Sequence, residues 1–141
     1  MPAELARVNQ WMYSTLAADT AISNVVGSRI YAEQAPQGAS YPMVLFAHIG
    51  NIDVTRAMNN GRLAKVIYLV RVVGEGFSVS GSLQTVADRF DPLLLVKNVT
   101  VDGVRIAYVQ HDQHHIRKDS ENGIPVSYLG SYYLIFCQPA D

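Results

Sequence analysis

The sequence predicts an α+β domain: an antiparallel or mixed β-sheet of about four to five strands, with helices packed mainly on one face. Three observations carry that class. The first is Leu63–Val73 (LAKVIYLVRVV), the longest near-continuous apolar run. In it Ala64, Val66, Tyr68, Val70 and Val72 form one uncharged alternate set, while Lys65 and Arg71 lie on the other. Its β-branched content and the nearby Gly61, Gly74 and Gly76 favour a strand over a three-turn helix. The second is helical spacing elsewhere, in Leu5, Val8, Met12 and Leu16 and again in Leu83, Val86, Ala87 and Phe90. The third is a pair of turn signals, Asn60-Gly61 at the end of a polar stretch and Asp102-Gly103 between two apolar runs.

Taken in order, Ala3–Ala18 is one amphipathic helix, with Glu4 near its start and Trp11 at the edge of the apolar stripe. Asp19 caps a short helix, Thr20–Val26, which Gly27 stops; Arg29-Ile30-Tyr31 is then briefly extended. Ala32–Pro42 is a loop broken by Pro36, Gly38 and Pro42, and Pro42 biases Tyr41 towards an extended conformation. Met43–Ile49 is a first strand, paired antiparallel with Leu63–Val73 across a polar connection, Gly50–Gly61. A helix capped by Ser80 or Ser82 follows over Ser82–Leu95, with a defect expected near Asp91 because Pro92 comes next. Asn98–Val101 and Val104–Gln110 form a hairpin about Asp102-Gly103, Asp119–Gly123 is a second turn, and Val126–Gln138 is the last strand. That strand has two apolar faces: Tyr128, Tyr132, Leu134 and Phe136 on one, Leu129, Tyr133, Ile135 and Cys137 on the other. The few helices cannot cover both, and assembly with other copies would explain the second.

The length, 141 residues, suits one domain spanning the whole chain, 1–141. Apolar residues make up 49% and charged ones 16%, which calls either for a large uncharged polar surface or for apolar surface hidden against other subunits. A net charge of -1 argues against general gripping of a phosphate backbone. The single Cys137 lies in an apolar run and is expected to be a buried structural thiol. No apolar stretch reaches the ~18 residues that cross a membrane, and MPAELARVNQW has no secretory pattern, so a membrane partner is not expected.

The histidines concentrate in HDQHHIRKD, with His111, Asp112, His114, His115 and Asp119. On a regular strand His111 and His115 share a face and His114 looks the other way. No recognised zinc spacing occurs, so no metal and no cofactor is expected. With Arg117 and Lys118 this stretch is the most basic in the chain, suited to acidic residues of a neighbouring subunit, to solvent, or to DNA phosphates. The glycines of Gly74-Glu75-Gly76 and Gly81 lack the spacing of a phosphate loop, and Ser, His and Asp occur in no catalytic motif. No catalytic residue is assigned, and an enzyme is not expected. Arg56, Arg62, Lys65 and Arg71 are scattered rather than striped.

Nearly the whole chain resembles the tail terminator, or tail completion, proteins of long-tailed bacteriophages and prophages, the group that includes the minor tail protein U-like proteins. The similarity is most specific in LAADTAISNVVGSRIY and EQAPQGASYPMVLF, on Asp19, Gly27, Arg29, Ile30, Tyr31, Ala35, Pro36, Gln37, Gly38 and Pro42. The later order of long strand, helix, hairpin and final strand also fits, whereas His111–His115 matches no family signature. The resemblance implies a structural virion protein, assembled in host cytoplasm into a hexameric ring on the head-proximal end of the tail tube. Such a ring ends tube polymerisation and offers the surface to which the head joins. Its implied partners are other copies, the tail-tube protein and a head-tail connector or stopper, with DNA passing through the lumen without sequence-specific binding. Subunit or partner contacts are expected on Ala32–Pro42, Gly50–Gly61 and His111–Ser120, through Pro36, Gln37, Gly38, Arg56, Asn59, His111, His114, His115, Arg117 and Lys118. Gly27, Arg29, Pro42, Gly61 and Gly103 are expected to shape turns and loops. The alternatives are a head-side neck connector and a small metal-binding enzyme built on His111, His114 and His115.

Overall fold

A computed structural model describes residues 2–55, 63–76 and 81–139. The elements are α1 (Pro2–Ala17), α2 (Thr20–Val26), β1 (Ile30–Ala32), β2 (Met43–Thr55), β3 (Leu63–Glu75), α3 (Gly81–Leu94), β4 (Lys97–Val101), β5 (Val104–Glu121) and β6 (Ile124–Pro139). The fold is α+β. Its sheet is mixed, in the order β1-β2-β3-β6-β5-β4, and only β1 and β2 run parallel. It has six strands, more than the four to five expected. The three residues of β1 are too few for alternation to show in sequence, and they become a strand by pairing with Val44, Leu45 and Phe46.

The apolar run at 63–73 lies at the heart of the sheet, with β2 on one side and β6 on the other. Its uncharged set Ala64, Val66, Tyr68, Val70 and Val72 is buried in one cluster with Leu129, Tyr133, Ile135 and Cys137 of β6. The same cluster takes Val8, Trp11, Met12 and Leu16 from α1, Ile22 and Val26 from α2, and Leu83, Val86, Phe90 and Leu94 from α3. At roughly 1.5–3 kcal/mol for each fully buried large aliphatic or aromatic side chain, this cluster dominates the stabilisation of the fold. A smaller cluster joins Met43, Val73, Val126 and Tyr128, with Tyr31, Ala35, Ala39, Tyr41 and Leu45 packed against it.

Local chemistry sets the boundaries. Asp19 accepts from the Ile22 amide at 3.2 Å and so caps α2. Gly27 ends that helix with φ 63° and ψ -126°, a region open essentially to glycine, while its N–H donates to Ser23 at 2.8 Å. Asp102-Gly103 and Asn122-Gly123 both have positive φ at both residues, as a two-residue hairpin turn of the right twist requires.

Two expectations fail for identifiable reasons. Residues 50–55 belong to β2 and pair with β3 as far as Thr55, rather than opening the polar connection. Register shifts at His48/Gly50 and Asp53/Thr55 break the period-two pattern, so these residues do not look like a strand in sequence. No new helix begins at Asp91. Helix α3 runs unbroken with Pro92 in its last turn, and the Asp91 carboxylate accepts from the Tyr133 hydroxyl at 2.6 Å instead of capping a new helix.

Candidate assembly surfaces

The loop between β1 and β2 is held at both ends. Arg29 donates from Nε to the Pro42 carbonyl at 2.8 Å, and its own carbonyl accepts from the Val44 amide at 2.9 Å. One side chain thus ties the end of α2 to the start of β2. The Tyr41–Pro42 peptide bond is cis. Within the loop, Ala39 donates to the Pro36 carbonyl at 3.1 Å and Gly38 has φ 84°, so Pro36–Ala39 is a turn that needs glycine at its third position. Pro36, Gln37 and Gly38 stand at its exposed tip. Glu33 follows β1 with φ 70°, and its carboxylate accepts from the His48 amide at 3.1 Å.

The histidine stretch is inside β5, along the margin of the sheet, and one extra residue rearranges it. His111 pairs with Tyr133 but Gln113 pairs with Tyr132, so Asp112 is a bulge. His111 and His114 therefore share a face, and the expectation that His111 shares one with His115 is overturned. Their rings lie 4.6 Å apart over the Ser131 hydroxyl, which is 3.0 Å from His111 Nε2 and 3.3 Å from His114 Nδ1. Asp91 and Tyr133 extend this polar patch, and burial with the hydrogen bond to Asp91 pushes the Tyr133 hydroxyl far up. Among the described residues no group of three or more metal-ligating side chains converges.

His115 lies on the opposite face, edge-on to Tyr132 at 5.6 Å, with Nε2 buried and without a hydrogen-bond partner among the described residues. Burial, then Arg71 and Arg117, hold its pKa below the usual imidazole range. Across the ladder His115 pairs with Gly130, and Gly130 pairs with Arg71. The Arg71 guanidinium stacks over the Tyr128 ring at 4.3 Å, and Arg117 stands 5.9 Å from the same ring. Arg117 is paired to Asp119 at 2.7 Å. The Tyr128 hydroxyl donates to Glu121 at 2.5 Å, and burial together with that bond pushes it up to about 12. Beside Arg71 a cleft of about 350 Å³ is lined by Glu33, Ala35, Tyr41, Met43, Leu45 and Tyr128, among others. Lys118 is exposed. Arg56, Asn59 and Gly61 lie outside the described residues, as does the capping candidate Ser80.

Sequence inspection missed Arg71, Tyr128 and Ser131 as parts of surface constellations. The signal present was Gly130, a break in an otherwise bulky strand. A Cβ there would stand 2.0 Å from the Val70 carbonyl oxygen and 2.5 Å from Arg71 Cα.

A search of curated proteins finds no match to this chain. Among solved structures, a chain from "Virion of native gene transfer agent (GTA) particle" has the same fold, with a TM-score of 0.73 at 12% identity. The likeness covers 96% of this chain and 98% of that one. The sequence profile described as "Tail completion protein gp17" matches residues 10–126. The chain belongs to the tail completion protein gp17 family.

Proposed function

We propose that this chain is a structural, non-enzymatic component of a phage-type virion that completes the tail. It forms a six-membered ring on the head-proximal end of the tail tube, ends tube polymerisation and presents the surface to which the head-side connector joins. The observation that carries this reading is the family match over residues 10–126, and the virion title of the structural neighbour is in keeping with it.

The fold suits a ring physically. A head-to-tail cycle needs two unlike surfaces on each subunit. The sheet offers two unlike margins, because β1 covers only Val44–Phe46 of β2, and β4 reaches only Tyr108 of β5. One carries Ile49, which is 54% exposed, and the other Ile116, which is 65% exposed. Subunit and partner contacts then involve the tip Pro36-Gln37-Gly38, the stretch Gly50–Gly61 with Arg56 and Asn59, and β5 from His111 to Ser120. DNA passes the lumen without specific contacts, in accord with a net charge of -1.

The test is imaging with mass determination on purified protein, alone and mixed with isolated tail tubes. Six-fold rings, or a ring capping one end of each tube, are expected. A protein that stays monomeric and ignores tubes would overturn the reading in favour of a head-side position.

A further inference from the structure

We propose that His111 and His114 form a two-imidazole site for one divalent first-row transition ion such as Zn²⁺, completed by the Ser131 hydroxyl and by waters held on Asp88 and Asp91. The site is independent of the ring reading above and stands or falls without it.

The expectation of no metal rested on residue spacing along a regular strand. The bulge at Asp112 removes that premise, because it turns His111 and His114 together onto the sheet face that packs against α3. Both rings then converge on one oxygen. His111 Nε2 is 3.0 Å and His114 Nδ1 is 3.3 Å from Ser131 Oγ, and the ring centres are 4.6 Å apart. With bonds of about 2.1 Å, neighbouring donors are spaced roughly 3.0 Å apart in an octahedral shell and roughly 3.4 Å apart in a tetrahedral one. By the same bond length, two imidazoles at right angles on one ion have ring centres roughly 4.6 Å apart. The three donors match those spacings. Ser131 alone serves the two rings poorly, since it has one hydroxyl proton and also hydrogen-bonds Tyr133.

The donors are held from behind and open to a polar cavity in front. Ser131 is 6% exposed and Tyr133 is fully buried. The Tyr133 hydroxyl donates to Asp91 at 2.6 Å, and its ring stands edge-on to His111 at 5.7 Å. A chain from a carboxylate through hydroxyls to the ligands fixes their orientation. The cavity, about 140 Å³, is lined by Asp88, Asp91, His114, Ser131 and Gln84, among others. At about 30 Å³ per water it has room for an ion and several waters. Among the described residues no Lys or Arg lines it, and its two carboxylates favour a cation. No third metal-ligating side chain joins the two imidazoles directly, so the carboxylates act through water. Imidazole ligands select ions of the Zn²⁺ and Ni²⁺ kind over Mg²⁺ and Ca²⁺, which take oxygen shells. His114 is exposed, which gives the ion a way in.

The test is calorimetric titration of the purified, untagged chain with Zn²⁺, Ni²⁺ and Mg²⁺ after chelator treatment, with a melting curve for each variant. One Zn²⁺ or Ni²⁺ per chain is expected to bind, and Mg²⁺ is not. His111→Ala and His114→Ala should each weaken Zn²⁺ binding at least tenfold, whereas His48→Ala and His115→Ala should change it less than twofold. A wild type that does not bind Zn²⁺, or binds Mg²⁺ equally well, overturns the site. So does Zn²⁺ binding that survives His111→Ala or His114→Ala, or that His115→Ala weakens as much. Should both alanine variants fail to fold, the wild-type histidine ring signals decide. Zn²⁺ shifts confined to His111 and His114 support the site, and shifts of no histidine or of all alike overturn it.

Discussion

Asp19 shows how much one residue does here. Its carboxylate caps α2 and also accepts from Arg89 on α3 at 2.9 and 3.2 Å, so it ties two helices together. The Arg89 hydrogen bond, more than the cap, holds its pKa below the ordinary 3.8. Its stabilising contribution is therefore complete above that value and is lost as pH falls through the lowered one. Asp19→Ala should cost about 1 kcal/mol for the cap alone, and its deficit in thermal melting should shrink below pH 3.8. At Gly130 the constraint is space. A methyl group would meet the backbone of Val70 and Arg71 rather than a movable side chain, so Gly130→Ala should cost about 3 kcal/mol in urea unfolding. Asp19 and its helix are legible in sequence because cap and stop act within one turn. The Gly130 constraint is not, since the atoms that crowd it belong to a strand far away in the chain.

Among the elements, β5 differs most from expectation. A regular strand reverses side chains at every residue, and β5 breaks that rule twice, at Ala107 and at Asp112. Deleting Asp112 makes the ladder regular through the histidine stretch while leaving His111 and His114 together over Ser131. The variant should fold, with a melting temperature within about 5 °C of the wild type. Deleting Ser131 instead shifts β6 against both β3 and β5, and circular dichroism should show an unfolded chain. The hairpin turn at Asp102-Gly103 could be placed from the residues alone, because positive φ at two successive positions has few solutions, whereas the turn expected over Asp119–Gly123 closes to Asn122-Gly123 with Asp119–Glu121 paired in β5. The length of β5 could not, because its polar second half is a strand through the ladder that β6 provides.

For the whole molecule, association follows from the apolar surface that this chain leaves bare. Leu69, Tyr128 and Phe136 are buried on the sheet face opposite the large cluster, while Ile49, Ile116 and Ile124 are among the exposed apolar side chains of the described residues. If folded chains associate and unfolded ones do not, mass action stabilises the folded state. The melting temperature should then rise with protein concentration, and a scan series over two decades of concentration measures it. A flat series would count against association in solution.

The sequence by itself determined the α+β class, the two caps of α2, the Asp102-Gly103 turn and the tail completion resemblance. Each rests on contacts or periodicities within a few residues, where propensity and sterics act directly. Only the tertiary structure decided the parallel β1, the reach of β2 and β5, and which histidines meet. It alone set Arg71, Tyr128 and His115 on one face. Those outcomes depend on register, and register is fixed by partners distant in the chain and by single extra residues that no local pattern reveals.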